Sequence, residues 1–193
     1  MSEISSHESP GAKQATLPAV SIVVPVSNES GNISPLVKEI TEALSALADF
    51  EIIYVDDGST DNTPHVLAEL AKTVAELRFL RHQKRAGQSA AIWTGVGAAS
   101  FPLVVTLDGD GQNVPANIPA LLHLYLRDSA PDGKLLVAGW RTGRRDSWSK
   151  RMASKIANSV RSTLLDDNTP DTGCGLKVFR RADYLAFPAF NHM

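Results

Sequence analysis

The sequence contains a single cysteine, Cys174. An intrachain disulfide and a Cys-rich zinc site are thereby excluded, and the chain reads as one suited to a reduced, intracellular setting. Long apolar runs are missing as well. The most apolar stretch, residues 17–26, has the length of a strand and falls far short of the roughly 18 residues of a membrane-spanning helix. Neither sign of charge dominates: Lys plus Arg number 19 and Asp plus Glu 21, a formal net charge of -2. That balance argues against a globally basic protein, so no nucleic-acid partner is expected. No G-x-G-x-x-G follows the first apolar run and no Walker A sequence occurs, which disfavours a nicotinamide enzyme or a P-loop NTPase. The opening MSEISSHESPGAKQ has neither the basic n-region nor the apolar h-region of a signal peptide. It is polar, Ser-rich and broken by Pro10 and Gly11, so residues 1–17 are expected to be a disordered tail.

What remains is an ordinary globular composition: 193 residues, 43% hydrophobic and 21% charged. One domain over residues 18–193 is expected. Within it, short β-branched runs alternate with helical patterns. VSIVVPV (20–26), EIIYV (51–55), residues 78–82, PLVVTL (102–107), LLVAG (135–139) and residues 176–179 read as strands. Ser34-Pro35 and Thr63-Pro64 each read as a helix opening, with a hydroxyl cap followed by proline. Leu36, Val37, Ile40, Ala43, Leu44 and Leu47 form one apolar stripe, and Val66, Leu67, Leu70, Val74 and Leu77 a second. Residues 89–99, 115–126 and 148–165 complete the helices. The alternation predicts an α/β fold with a mainly parallel sheet and helices on both faces. In such sheets ligands bind beyond the carboxyl ends of the strands.

The polar clusters fall at those ends. The first strand runs into Pro25-Val26-Ser27-Asn28-Glu29, the second into Asp56-Asp57-Gly58-Ser59, and the fourth into Asp108-Gly109-Asp110-Gly111-Gln112. Two carboxylates separated by glycine offer hard oxygen ligands that suit Mg²⁺ or Mn²⁺ beside a substrate phosphate. The competing reading is a plain Asp-Gly turn. An EF-hand is excluded by spacing, since Asn113 and Pro119 stand where Gly and the bidentate Glu are required. Residues 141–161 hold Arg141, Arg144, Arg145, Lys150, Arg151, Lys155 and Arg161 against Asp146 alone. Arg141 and Arg145 follow a strand end and read as phosphate ligands, whereas Lys155 and Arg161 read as a solvated helix face. Trp140 and Trp148 suit a lipid headgroup level. His65, His82 and His123 lack ligand spacing and read as structural, Trp93 and Cys174 read as core, and Gly95 and Gly97 read as close-packing positions.

PVSNESGN, YVDDGSTDNT, GQSAAIWTG, LDGDGQN, GWRTGRRD and DTGCGLKVFRR occur in this order. Over about residues 19 to 193 the chain thereby resembles family-two glycosyltransferases of the GT-A fold. The resemblance is to their polyprenyl-phosphate branch, which includes dolichol-phosphate mannosyltransferases and undecaprenyl-phosphate glycosyltransferases. The resemblance implies a Rossmann-like GT-A domain. It implies metal-dependent, inverting transfer of a sugar from a UDP- or GDP-sugar to a polyprenyl phosphate, at the cytoplasmic face of a membrane. It further implies that Pro25, Ser27, Glu29, Asp56, Asp57, Gly87, Gln88 and Asp108 bind the donor nucleotide. Ser27 stands where relatives usually carry an aromatic residue. Asp108, Asp110 and Gln112 correspond to the ligands of Mg²⁺ or Mn²⁺, Arg141 and Arg145 to the acceptor-phosphate site, and residues 171–177 to the floor of the active site. Asp110, Arg141 and Arg145 are the expected catalytic residues. Two alternatives stand beside this reading. One is a GT-A enzyme with a saccharide acceptor, against which the basic segment and the lack of Q-x-x-R-W both count. The other is a nucleotide-sugar-binding protein without turnover, because relatives continue past the position of Met193.

Overall fold

The computed structural model describes residues 17–130, 133–139 and 174–188. The central element is β1 (Val20–Val26), every residue of which is buried. It pairs in parallel with β2 (Phe50–Asp56) on one side and β4 (Leu103–Thr106) on the other. Beyond β2 lies β3 (Leu77–Arg81), also parallel. Beyond β4 the direction reverses: β6 (Lys177–Arg180) pairs antiparallel with β4, and β5 (Leu136–Ala138) antiparallel with β6. The order β3-β2-β1-β4-β6-β5 is the mainly parallel sheet expected from the sequence.

Alternate residues of the strands serve two cores. Ile22, Val24, Ile52, Tyr54 and Val105 meet Ile33, Leu36, Val37, Ile40 and Leu44 of α1 (Ser30–Leu44), Leu67 of α2 (Thr63–Leu70), and Ile118 and Leu122 of α4 (Ile118–Asp128). Val23, Ile53, Val55 and Val104 meet Ala91 and Val96 of α3 (Gln88–Ala98) on the opposite face. A strand buried on both faces has no polar side, which is why β1 reads as an apolar run interrupted only by Ser21, whose hydroxyl donates to Glu51 Oε1. Each fully buried Val, Ile or Leu contributes about 1.5–3 kcal/mol relative to exposure. A short helix, α5 (Arg181–Leu185), follows β6 directly.

Several local expectations shift. Helix α1 begins at Ser30 and carries Pro35 inside it, rather than starting at Ser34-Pro35. The chain can start early because a neighbouring loop satisfies the first amides: Glu29 N donates to Thr63 Oγ1 at 3.0 Å and Ser30 N to Asp61 Oδ2 at 3.3 Å. Thr63 thus spends its hydroxyl on another segment and does not cap α2. Helix α2 ends at Leu70, and Leu77 of the second stripe opens β3. Residues 115–117 form a 3-10 turn before α4. Gly95 is a packing glycine, since a Cβ there would strike Val23 and lie 3.1 Å from Val55, but Gly97 has nothing within 4 Å. Trp93 is half-buried against Tyr184, with ring centroids 5.8 Å apart, rather than core. Cys174 is buried as expected. The helix expected over 148–165 lies outside the described residues.

Candidate active site

The strand order changes direction between β1 and β4, and a cleft of about 700 Å³ opens at the carboxyl ends there. Register explains what reaches it. Val26 pairs with Asp56 and Val23 with Thr106, so Ser27, Asp57 and Asp108 leave the sheet as neighbours. Gly109 passes close to β1, where a Cβ would strike Val26 and lie 3.0 Å from the Pro25 carbonyl oxygen.

Of the residues singled out in the sequence, Pro25, Ser27, Glu29, Asp57, Gln88, Asp108 and Asp110 line this cleft. Asp108 is held on both oxygens: Gln88 Nε2 donates to Oδ1 at 2.8 Å and Asn113 Nδ2 to Oδ2 at 3.3 Å. Gly175 lies directly behind it, and its carbonyl accepts from Thr106 Oγ1 at 2.7 Å. Asp110 is exposed, with Oδ1 accepting from the Gln112 amide at 3.0 Å. The turn reading of this segment is thus seen at Asp110, whose residue also lines the cleft. Gln112 is exposed and does not line the cleft.

The second acidic pair divides its work. Asp56 is fully buried and off the cleft. Its Oδ1 accepts from Ser59 N at 2.9 Å, and its Oδ2 faces Arg81 Nε at 3.1 Å without hydrogen-bond alignment. Asp57 lines the cleft yet also anchors a loop. Ala86 N and His82 Nδ1 reach its Oδ1, and Gly87 N its Oδ2, each at 2.8 Å. Burial alone pushes this carboxyl up, but the two amides and His82 outweigh it and hold the group below the ordinary carboxylate value. Gly87 thus presents its amide to Asp57 and is not part of the cleft lining. Asn28, with φ 59, ties the first strand's loop to the second's: its Oδ1 accepts from Thr60 N at 2.8 Å and Asp61 N at 3.2 Å.

Arg141, Arg145, Trp140, Trp148 and residues 171–173 lie outside the described residues. Lys177 of the expected floor lines the cleft. Sequence reasoning missed Arg85, Ile92, Phe179 and Tyr184, which also line it. It also missed the pairing of His82 with Asp57, although His82 directly follows β3 and so stands at a carboxyl strand end, like the carboxylates.

Among the described residues no group of three or more His, Cys, Asp or Glu side chains is arranged around a metal position. The two hard carboxylates of Asp108 and Asp110 nevertheless fit Mg²⁺ or Mn²⁺, ions that complete their shells with water and substrate phosphate.

Comparison with known proteins places this arrangement. Residues 21–185 match Glycosyl transferase family 2. Glucosyl-3-phosphoglycerate synthase from Mycobacterium tuberculosis, in complex with uridine diphosphate, is 24% identical with a TM-score of 0.64, covering 91% of this chain and 63% of its own. The same enzyme with Mn²⁺ and UDP-glucose gives 23% and 0.65, covering 94% and 64%. A mannosyltransferase from Pyrobaculum calidifontis, in complex with GDP-Man and Mn²⁺, gives 24% and 0.62, covering 88% and 47%. The chain therefore spans less than two thirds of the length of these solved proteins. With the family matched over most of the sequence, and the sheet order and strand-end carboxylates in place, this chain belongs to glycosyltransferase family 2, with the GT-A Rossmann-like fold.

Proposed function

We propose that residues 18–193 form a single glycosyltransferase domain that moves a sugar from a UDP- or GDP-sugar to a polyprenyl phosphate with inversion, at a membrane surface. One observation carries the donor half: Asp108 and Asp110 face a cleft of about 700 Å³ together with Pro25, Ser27, Glu29, Asp57 and Gln88. Asp108 and Asp110 would hold Mg²⁺ or Mn²⁺, which supplies positive charge against a departing diphosphate. Gln88 and Asn113 fix the orientation of Asp108. Asp57 acts on the nucleotide side, while Asp56 and Gly87 position the surrounding backbone. The acceptor half rests on the sequence, where Arg141 and Arg145 head a segment rich in basic residues and Trp140 and Trp148 flank it. The membrane contact in this reading is a peripheral one, made through that basic, Trp-bearing segment.

The chemistry is a single displacement. An acceptor phosphate oxygen forms a bond to the anomeric carbon as the bond to the nucleotide diphosphate breaks on the opposite face. The nucleotide diphosphate leaves with the bonding electron pair. The attacking phosphate is already anionic near neutrality, so alignment and electrostatics do most of the work and no strong base is needed.

Incubation with Mn²⁺, a panel of UDP- and GDP-sugars and a short polyprenyl phosphate in detergent tests this. A lipid-linked sugar is expected, and Asp110→Asn is expected to lower its formation by on the order of a hundredfold with the melting temperature unchanged. Wild-type turnover in that variant at saturating metal sinks the metal assignment. Transfer to phosphoglyceric acid or a saccharide, with none to lipid, replaces the acceptor. Donor binding without any product supports a binding protein.

A further inference from the structure

The segment between β3 and α3 is fixed along its backbone while its central cation is left unengaged. Gly58 adopts φ +68, and a Cβ there would lie 2.8 Å from Arg85 N and 3.0 Å from the Lys84 carbonyl carbon. The absence of that Cβ lets residues 84–85 pack onto the end of β2. Asp57 then takes the amides of Ala86 and Gly87, at 2.8 Å each. His82 closes the other side, with Nδ1 on Asp57 Oδ1 at 2.8 Å and Nε2 on Thr94 Oγ1 at 2.9 Å. Asp57 is ionised and accepts only, so His82 Nδ1 donates. The main chain is thus tied on both sides of Arg85.

The Arg85 side chain is exposed and lines the cleft, yet it makes no hydrogen bond or ion pair with any described residue. The other charged side chains lining the cleft are the carboxylates of Glu29, Asp57, Asp108 and Asp110 and the ammonium of Lys177. A ligand carrying several negative charges needs more compensation than these carboxylates permit. A guanidinium presents five donors in a planar fork that matches phosphate oxygens two at a time. Carried on a backbone already ordered, it loses little further freedom on binding.

We propose that Arg85 binds the phosphates of the nucleotide donor, and that Asp57, His82 and Thr94 are positioning residues that aim it. This deepens the glycosyltransferase reading above and rests on it. Calorimetric titration of UDP and of GDP, with Mn²⁺ present and at low and high salt, tests it on wild type, Arg85→Gln and Arg85→Lys. Whichever nucleotide the wild type binds is expected to bind Arg85→Gln about tenfold or more weakly, with Arg85→Lys in between. Its affinity is also expected to fall less steeply with salt in Arg85→Gln, because one charge contact is gone. The melting temperature is expected to stay that of the wild type, since no described residue loses a partner. Equal affinity of Arg85→Gln and wild type at both salts overturns the proposal while leaving the functional reading intact. If the wild type binds neither UDP nor GDP, the functional reading falls and the proposal falls with it.

Discussion

Gly175 shows how one missing methyl group shapes the site. Its Cα faces the carboxylate of Asp108 so closely that an added Cβ would overlap it, and its carbonyl is fixed by Thr106 Oγ1 at 2.7 Å. Neither partner can retreat: Thr106 is buried in β4, and Asp108 is tied to Gln88 and Asn113. Gly175→Ala is therefore expected to push Asp108 out of its orientation. Sugar-transfer or nucleotide-binding assays with Mn²⁺ should show a loss of tenfold or more, while overpacking costs about 1–3 kcal/mol in denaturant unfolding. An unchanged activity would mean that Asp108 is not needed where it stands. The sequence pointed to Asp108 and Asp110 because they follow an apolar strand and two further strands also run into polar or acidic clusters. The resemblance put residues 171–177 at the floor of the site, but nothing singled out Gly175 as the residue behind Asp108, because it comes from a distant strand end and glycine carries no chemical signature. Nor could it separate Asp56 from Asp57, which are adjacent in sequence but face Arg81 and the cleft respectively.

Helix ends in this protein are finished by other elements. The α3 helix has no basic residue in its last turn and no side-chain cap. Its terminal carbonyls are met instead by Arg181 of α5, whose Nε donates to Val96 O at 3.0 Å and whose second guanidinium nitrogen donates to Gly97 O at 2.7 Å. A cation at a helix carboxyl end also complements the helix dipole. Arg181→Ala is expected to cost about 1–2 kcal/mol, measured by urea unfolding. A loss no larger than that of a surface substitution would show that solvent replaces the contact. Such distant caps explain why the strands were legible and the helix bounds less so. The apolar runs of β1, β2 and β4 are local signals, and their observed ends fall within about two residues of the expected ones. The start of α1 depends on Asp61 and Thr63, which lie 31 and 34 residues from the amides they accept from and leave no mark near Ser30. The pattern of Leu77 continues a helical stripe by spacing alone, yet pairing with Ile52 makes it the first residue of β3.

Across the whole molecule, the two ends of the sheet are each locked by a carboxylate. At the cleft end it is Asp57. At the opposite end Glu51 joins three strands and a turn. Its Oε1 accepts from Ser21 Oγ of β1 and from Ser100 N, both at 2.6 Å, and its Oε2 from Nε and Nη2 of Arg78 in β3, at 3.0 and 2.9 Å. Burial by itself raises the Glu51 carboxyl, but Ser21, the Ser100 amide and Arg78 together hold it below its ordinary value of 4.5. Asp57 is likewise held below its ordinary 3.8. A carboxyl depressed by folding binds protons more readily when unfolded. Its stabilisation is complete above the unfolded value and is lost as pH falls through the folded one. Stability is thus expected to be flat from about pH 7 to about pH 5 and to fall on further acidification. Glu51→Gln removes one of the two locks without changing shape. It is expected to lower the unfolding free energy near pH 7 by on the order of 1–2 kcal/mol, allowing for the partly exposed Arg78. The gap between variant and wild type should then narrow near about pH 3, where the wild-type carboxylate is itself being neutralised. Urea unfolding of both proteins across this range measures that gap. A gap that stays constant from neutral to acid pH would show that Glu51 contributes by shape and hydrogen bonding alone, not through its charge.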